Sequence, residues 1–171
     1  GYVYGLATND DVLISSSEDR TIKVWCRQTW ACLRTLTDHT SYVYQIDLHD
    51  GKLFSASFDR TIKIWDTTTW ACVRTLDYES EVYSVLVRGD KVVAGCTNGT
   101  IVVKKIDTGE TLSCSSHDDG APQRGFSLLT LDDGRLISAS SGTTLEHVGH
   151  SVVSLMGSSV SEGPVPGGSE R

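Results

Sequence analysis

Apolar and polar residues alternate in short runs along most of this chain, and each run ends in a small polar turn. YVYGLA (Tyr2 to Ala7), YVYQIDL (Tyr42 to Leu48), EVYSVLV (Glu81 to Val87) and GFSLLTL (Gly125 to Leu131) each read as a strand. The turns NDD, HDG, RGD and DDG follow them, rich in the residues that favour tight turns. In the second run, alternation places Tyr42, Tyr44, Ile46 and Leu48 on one face, and Val43, Gln45 and Asp47 on the other. Each of these runs is followed by a second, small-sided strand: VLISSS, KLFSAS, KVVAGC and RLISAS. Turns holding Asp19, Asp59 or Asn98 come next, then a third strand that reads TIKVW, TIKIW or TIVVK. The fourth strand is WACLRTL or WACVRTL, with ETLSC as its degenerate third copy.

The pattern repeats at a period near forty. DRTIKVWCRQTWACLRTL (Asp19 to Leu36) returns as DRTIKIWDTTTWACVRTL (Asp59 to Leu76), with 13 of 18 positions identical. A catalytic residue is needed once, whereas a unit that stacks on copies of itself is needed many times. Four short antiparallel strands cannot bury both of their faces alone; stacked radially, each sheet covers its neighbour. Four units result, at about 1–39, 40–78, 79–118 and 119–150, within a repeat region spanning 1–155. After Thr144 the pattern dissolves, apart from GHSVVSL (Gly149 to Leu155), which reads as the opening of a fifth unit. Residues 156–171 are rich in Gly, Ser and Pro and read as a disordered tail.

Composition narrows the function classes. The chain has 171 residues, enough for one domain with a real core, and is 39% hydrophobic and 22% charged. No apolar run approaches the roughly 20 residues of a spanning helix, so no membrane partner is expected. The net charge of −7 and the lack of a Lys/Arg cluster argue against nucleic acid. The five cysteines are odd in number and form no CxxC pair, which disfavours a zinc site or a disulfide framework. Cys32 and Cys72 hold the same place in two copies, as small apolar side chains would. A reducing setting follows, cytoplasmic or nuclear. The sequence opens inside a β pattern with no initiator Met, as a piece of a longer chain would.

These units resemble the WD repeats of the β-propeller class. The Trp65-Asp66 dipeptide closes the third strand of the second unit, Asp38-His39 stands where the family usually has Gly-His, and Ser55, Ser57 and Asp59 form a Ser-x-Ser-x-Asp run. The first unit keeps Trp25 but has Cys26 for Asp; the third has Lys104 and Lys105 for Trp and Asp, and Tyr78 for His. The resemblance covers roughly residues 1–142. It implies an all-β propeller of about four blades, each a four-stranded antiparallel sheet, forming an incomplete ring.

The resemblance also implies a structural network inside the second blade, linking His39, Ser55 or Ser57, Asp59 and the indole of Trp65. Asp19 and Trp25 are the first unit's counterparts, with no His before them. The same residue types could form a hydrolytic triad, but no nucleophile elbow or glycine-lined oxyanion site accompanies them. The HxxH pair His147 and His150, and the run His117-Asp118-Asp119, fall in loops or degraded repeat and read as solvated polar residues. Asn98-Gly99-Thr100 matches a glycosylation pattern by chance in a tight turn. Trp30 and Trp70 open the fourth strand where the third unit has Gly109; they are either an exposed pair or caps on the edge of the core. No catalytic residue, cofactor or metal ligand is expected.

The expected role is a non-catalytic scaffold for protein or peptide partners. The alternative is a targeting domain of a larger enzyme such as a kinase or ubiquitin ligase, with a hydrolase at the propeller mouth a distant third. In a WD-type blade, the loop before the first strand and the turn between the second and third emerge together. Tyr42 and Phe58 occupy these places in the second unit, Tyr2 and Glu18 in the first, and Glu81 and Thr97 in the third. Tyr42 and Phe58 then form an aromatic anchor flanked by Glu18 and Glu81, suited to a peptide with apolar and basic residues. The competing expectation is that Phe58 packs locally under its own turn. Open blade edges imply self-association.

Overall fold

A computed structural model describes residues 1–116, 128–132, 135–141 and 148–154, the last three stretches as backbone strands. The first sheet runs β1 (Val3–Thr8), β2 (Val12–Ser17), β3 (Ile22–Cys26), β4 (Cys32–Leu36). The second runs β5 (Val43–His49), β6 (Lys52–Ser57), β7 (Thr61–Asp66), β8 (Cys72–Asp77). The third runs β9 (Val82–Arg88), β10 (Lys91–Cys96), β11 (Thr100–Lys105), β12 (Thr111–Ser116). β13 (Leu128–Asp132), β14 (Arg135–Ser141) and β15 (Val148–Ser154) form a three-stranded fourth sheet. Within every sheet, consecutive strands pair antiparallel in chain order, so each sheet is one meander. The stretch expected to open a fifth unit is instead β15, the third strand of the fourth sheet, where Ile137 pairs with Val152.

The first strands of successive sheets lie side by side, β1 by β5, β5 by β9 and β9 by β13, and the sheets stack face to face around them. Two apolar layers result. Val12, Ile14, Ile22, Val24 and Leu36 of the first sheet meet Val43, Ile46, Leu53 and Trp65 of the second. Phe54, Ala56, Ile62, Ile64 and Leu76 of the second meet Val82, Val85, Val87, Val92 and Ala94 of the third. The second sheet therefore has a leading face toward the first and a trailing face toward the third. Side chains of β5 add polar links across the second layer: Val85 N–H donates to Gln45 Oε1 at 3.2 Å and Val87 N–H to Asp47 Oδ2 at 2.9 Å.

One expectation fails in an informative way. Val43 pairs with Ser57 and Gln45 with Ala56, leaving Tyr44 as an extra residue in a bulge. The bulge reverses the alternation, so Val43 shares the leading face with Ile46 instead of opposing it. β1 and β9 carry the same irregularity, at Tyr4 and Tyr83. At Gly5 the strands approach so closely that a Cβ would sit 3.0 Å from the Tyr44 carbonyl oxygen and 2.6 Å from Ser16 Oγ.

Trp30 and Trp70 do not open the fourth strands. They sit before them at φ 58° and 61°, in the left-handed region, with Gly109 in the same place at φ 74°. Trp30 N–H donates to Cys26 O and Trp70 N–H to Asp66 O, closing the turn between third and fourth strands. Asp66 fastens its own turn by accepting from Thr68 N–H, Thr69 N–H and Thr69 Oγ1. Cys26 replaces that carboxylate in the first sheet.

Candidate functional site

Between β5 and β8 runs a chain of polar side chains. Trp65 Nε1–H donates to Ser55 Oγ at 2.9 Å, and Ser55 Oγ lies 2.7 Å from His39 Nε2. His39 Nδ1 meets Asp59 Oδ2 at 2.7 Å. With Asp59 ionised, the His39 proton sits on Nδ1 and Ser55 donates to Nε2, so each donor has an acceptor. Asp59 also accepts from Thr40 N–H, Thr61 N–H and Thr61 Oγ1. Burial pushes the Asp59 carboxyl up, but the bonds from His39 and Thr61 outweigh it and hold the group well below the usual carboxylate range.

Ser57 stands outside this chain. Its hydroxyl donates to the Ser41 carbonyl and accepts from Asp59 N–H. Ser55 is the serine within reach because its place on β6 lies beside the indole of Trp65. Ser55 is wholly buried and His39 nearly so. The arrangement ties the loop before β5 to β6, the following turn and β7.

The neighbouring sheets keep parts of the same scheme. Trp25 Nε1–H donates to Ser15 Oγ at 2.9 Å in the first, while Asp19 accepts from Thr21 N–H and Thr21 Oγ1 and has no histidine beside it. In the third, Lys104 replaces the indole: its Nζ lies 4.6 Å from the centre of the Tyr78 ring and donates to the Asp77 carbonyl at 2.6 Å. Tyr78 is buried, and its hydroxyl has no hydrogen-bond partner among the described residues.

At one end of the blades the loop before the first strand meets the turn between the second and third. Phe58 N–H donates to Tyr42 O, Glu18 N–H to Tyr2 O and Thr97 N–H to Glu81 O, so the same two positions meet in all three units. Glu18 also accepts from Tyr2 N–H, and Glu81 accepts from Thr97 Oγ1 at 2.8 Å, which lowers the Glu81 pKa. Tyr42 is exposed and its ring centre lies 6.2 Å from that of Phe58. Phe58 packs within its own blade, stacked on Tyr44 at 4.4 Å, so local packing and the aromatic pairing occur together.

Tyr44 is the residue that sequence reasoning missed. It stacks on Tyr4 at 4.4 Å with the planes 7° apart, and its ring centre lies 4.6 Å from that of Tyr83. Each of these tyrosines is the extra residue of a bulge, which turns it out of the sheet alternation and toward its counterpart on the next blade. Burial, then the neighbouring Tyr4 ring, pushes the Tyr44 phenol up to about 12. Tyr4, Gly5, Leu6, Tyr44, Gln45 and Tyr83 border a recess of about 360 Å³ along the first strands. The available signal was the tyrosine at the third place of YVY, YVY and EVY.

Trp30 is exposed, and Trp70 packs partly buried against the layer between first and second sheets. The two alternatives for these residues thus divide between them. The five cysteines are free. Among the described residues, no helix is long and apolar enough to cross a membrane. The side chains of His117, Asp118, Asp119, His147 and His150, and the tail 156–171, lie outside the described residues.

Comparison with known proteins agrees with the repeat geometry. The family model "WD domain, G-beta repeat" matches residues 1–26 and 30–66. Residues 1–26 and 30–66 are thus similar to WD repeats, which generally mediate protein–protein interaction, and the sheets form a β-propeller-like fold. Two computationally designed proteins of known crystal structure are similar, each at 28% identity. Ika4 superposes with a TM-score of 0.72, over 90% of this chain and 92% of Ika4. Ika8 superposes with a TM-score of 0.70 over 83% of this chain, which spans 43% of the Ika8 chain. A comparison with curated proteins finds no match.

Proposed function

We propose that the chain is a non-catalytic protein-interaction module whose recognition surface is the aromatic end of its first three blades. The observation that carries this reading is the bulge repeated in β1, β5 and β9, which gathers Tyr4, Tyr44 and Tyr83 beside Phe58 and Tyr42. Aromatic rings present large contact area at low cost in side-chain entropy, and recognition energy concentrates on such anchors. Glu18 stands against Tyr2 in the first blade and Glu81 against Thr97 in the third, at the positions that Phe58 and Tyr42 hold in the second, and the net charge of the chain is −7. An extended peptide with an apolar residue beside Lys or Arg matches this surface, its cation finding both carboxylates and ring faces.

The test is panning of a displayed peptide library on the folded chain, followed by titration of the enriched peptides. Enrichment of apolar–basic sequences is expected. Phe58→Glu and Tyr44→Ala should each weaken the binding at least about tenfold, the scale of a hot-spot side chain. Trp30→Ala, on the turn between β3 and β4, should leave it unchanged. Equal affinity for wild type and both surface variants, with their circular dichroism intact, would remove this surface from consideration.

A further inference from the structure

The forty-residue register assigns every apolar side chain of the second sheet's leading face a counterpart on the first. Val43, Ile46, Leu53 and Trp65 are buried against the trailing face of the first sheet. Forty positions earlier stand Val3, Leu6, Leu13 and Trp25, on the same strands and in the same pairings: Val3 opposite Ser17 as Val43 is opposite Ser57, and Leu13 opposite Trp25 as Leu53 is opposite Trp65. Their surroundings differ completely. Val3 is 59% exposed where Val43 is 0%, and Leu6 is 64% exposed where Ile46 is 5%. Leu13 and Trp25 are half-buried where Leu53 and Trp65 are covered.

A sheet face meant for water would carry polar residues at these alternate positions. This one carries Val, Leu, Leu and Trp, the chemistry of a face that is buried one repeat later. Its complement is therefore defined by the chain itself. It is a trailing face of the same kind, with β-branched residues on the second and third strands, as Ile14 and Val24 are in the first sheet. The last described sheet repeats that arrangement in register: Ile137 of β14 pairs with Val152 of β15 as Ile14 of β2 pairs with Val24 of β3.

We infer that the exposed leading face of β1–β4 docks the last sheet of a second copy of this chain, the two copies closing head to tail into one ring. Each copy contributes four sheets, and two such arcs fall at about eight blades, the upper end of the usual range for propellers. The similarity to Ika8 is consistent with that size, because an arc of this length accounts for 43% of that chain. A heterologous contact of this kind closes when the rotation between copies is a half turn. Closure hides Val3, Leu6, Leu13 and Trp25 from water in both copies. Leu6 also borders the aromatic recess, whereas Phe58 and Tyr44 belong to the second sheet, so Phe58→Glu and Val3→Glu test the two surfaces separately.

Sedimentation velocity and light scattering on the 171-residue chain decide the matter. The expected species has twice the chain mass of 18.6 kDa. Leu6→Glu and Val3→Glu, at positions exposed in a single copy, should each return it to 18.6 kDa with unchanged circular dichroism. Val73→Glu, at an equally exposed position on β8, should leave the pair intact. Phe58→Glu should also leave the pair intact, which separates this result from failure of the peptide reading. A wild-type chain that stays at single mass at high micromolar concentration would overturn the inference. So would a ladder of species larger than two copies, or a pair that survives both Leu6→Glu and Val3→Glu.

Discussion

Asp59 and Asp19 occupy the same place in two nearly identical repeats, yet their replacement by alanine should have unequal effects. Both accept two bonds from the threonine two residues on, Thr61 or Thr21. Asp59 additionally receives His39 Nδ1–H at 2.7 Å and Thr40 N–H at 3.0 Å. His39 is nearly buried, so Asp59→Ala leaves an imidazole N–H without its acceptor and weakens the positioning of Ser55 and Trp65 beyond it. A lost hydrogen bond to a charged, buried group costs about 1.5–3 kcal/mol, whereas the exposed pair at Asp19 is worth under about 1 kcal/mol. Asp59→Ala should therefore destabilise by roughly 1–3 kcal/mol more than Asp19→Ala. The assay is equilibrium urea unfolding followed by circular dichroism, with hydrogen exchange of β6 and β7 to localise the loss. His39→Ala should overlap with Asp59→Ala, the double variant costing at least about 1 kcal/mol less than the sum. Equal shifts for the two aspartate variants, or strict additivity with His39→Ala, would refute the reasoning.

Two more outcomes follow from the same geometry. The Asp59 pKa is depressed in the folded chain, so its contribution is complete above the ordinary carboxylate value near 4 and fades as pH falls through the folded value. The stability difference between wild type and Asp59→Asn should accordingly be constant from pH 7 to 5 and shrink below pH 4; urea midpoints measured across that range test this. The left-handed turn predicts opposite signs for two tryptophans. Trp30→Gly should stabilise by about 0.5–1 kcal/mol by relieving backbone strain at an exposed ring, while Trp70→Gly should destabilise because it uncovers the apolar layer its ring packs against. Thermal melts of the two variants give the comparison.

The repeat itself was legible because its residues are the structure's recurring needs. Asp at the turn, Ile and Val on the third strand, and Trp beside Ser return in the first two sheets, and the third keeps the apolar third strand. The bulges were not legible. A bulge that begins with tyrosine has no glycine to announce it, so strict alternation set Val43 against Ile46, and the tyrosine stack stayed hidden. The turn at Trp30 and Trp70 did leave a mark, since Gly109 in the third copy is the residue that a positive φ selects. The replacement of the His39–Trp65 pair by Tyr78 and Lys104 could be read as loss of fidelity, but not as the cation–π contact it forms. That contact depends on where a side chain of the loop before β9 meets one of β11, which spacing alone does not specify.

The claim that the bulged tyrosines form the recognition surface can be tested ring by ring. The chain has six tyrosines, and 3-fluorotyrosine incorporation gives each a separate fluorine resonance, assigned by single Tyr→Phe substitutions. On titration with the tightest peptide from the panning, the resonances of Tyr4, Tyr44 and Tyr83 should shift together along one binding curve. Tyr78, buried between second and third sheets beneath Lys104, should stay where it is. A saturable binding curve that leaves Tyr44 and its neighbours unmoved would contradict the account.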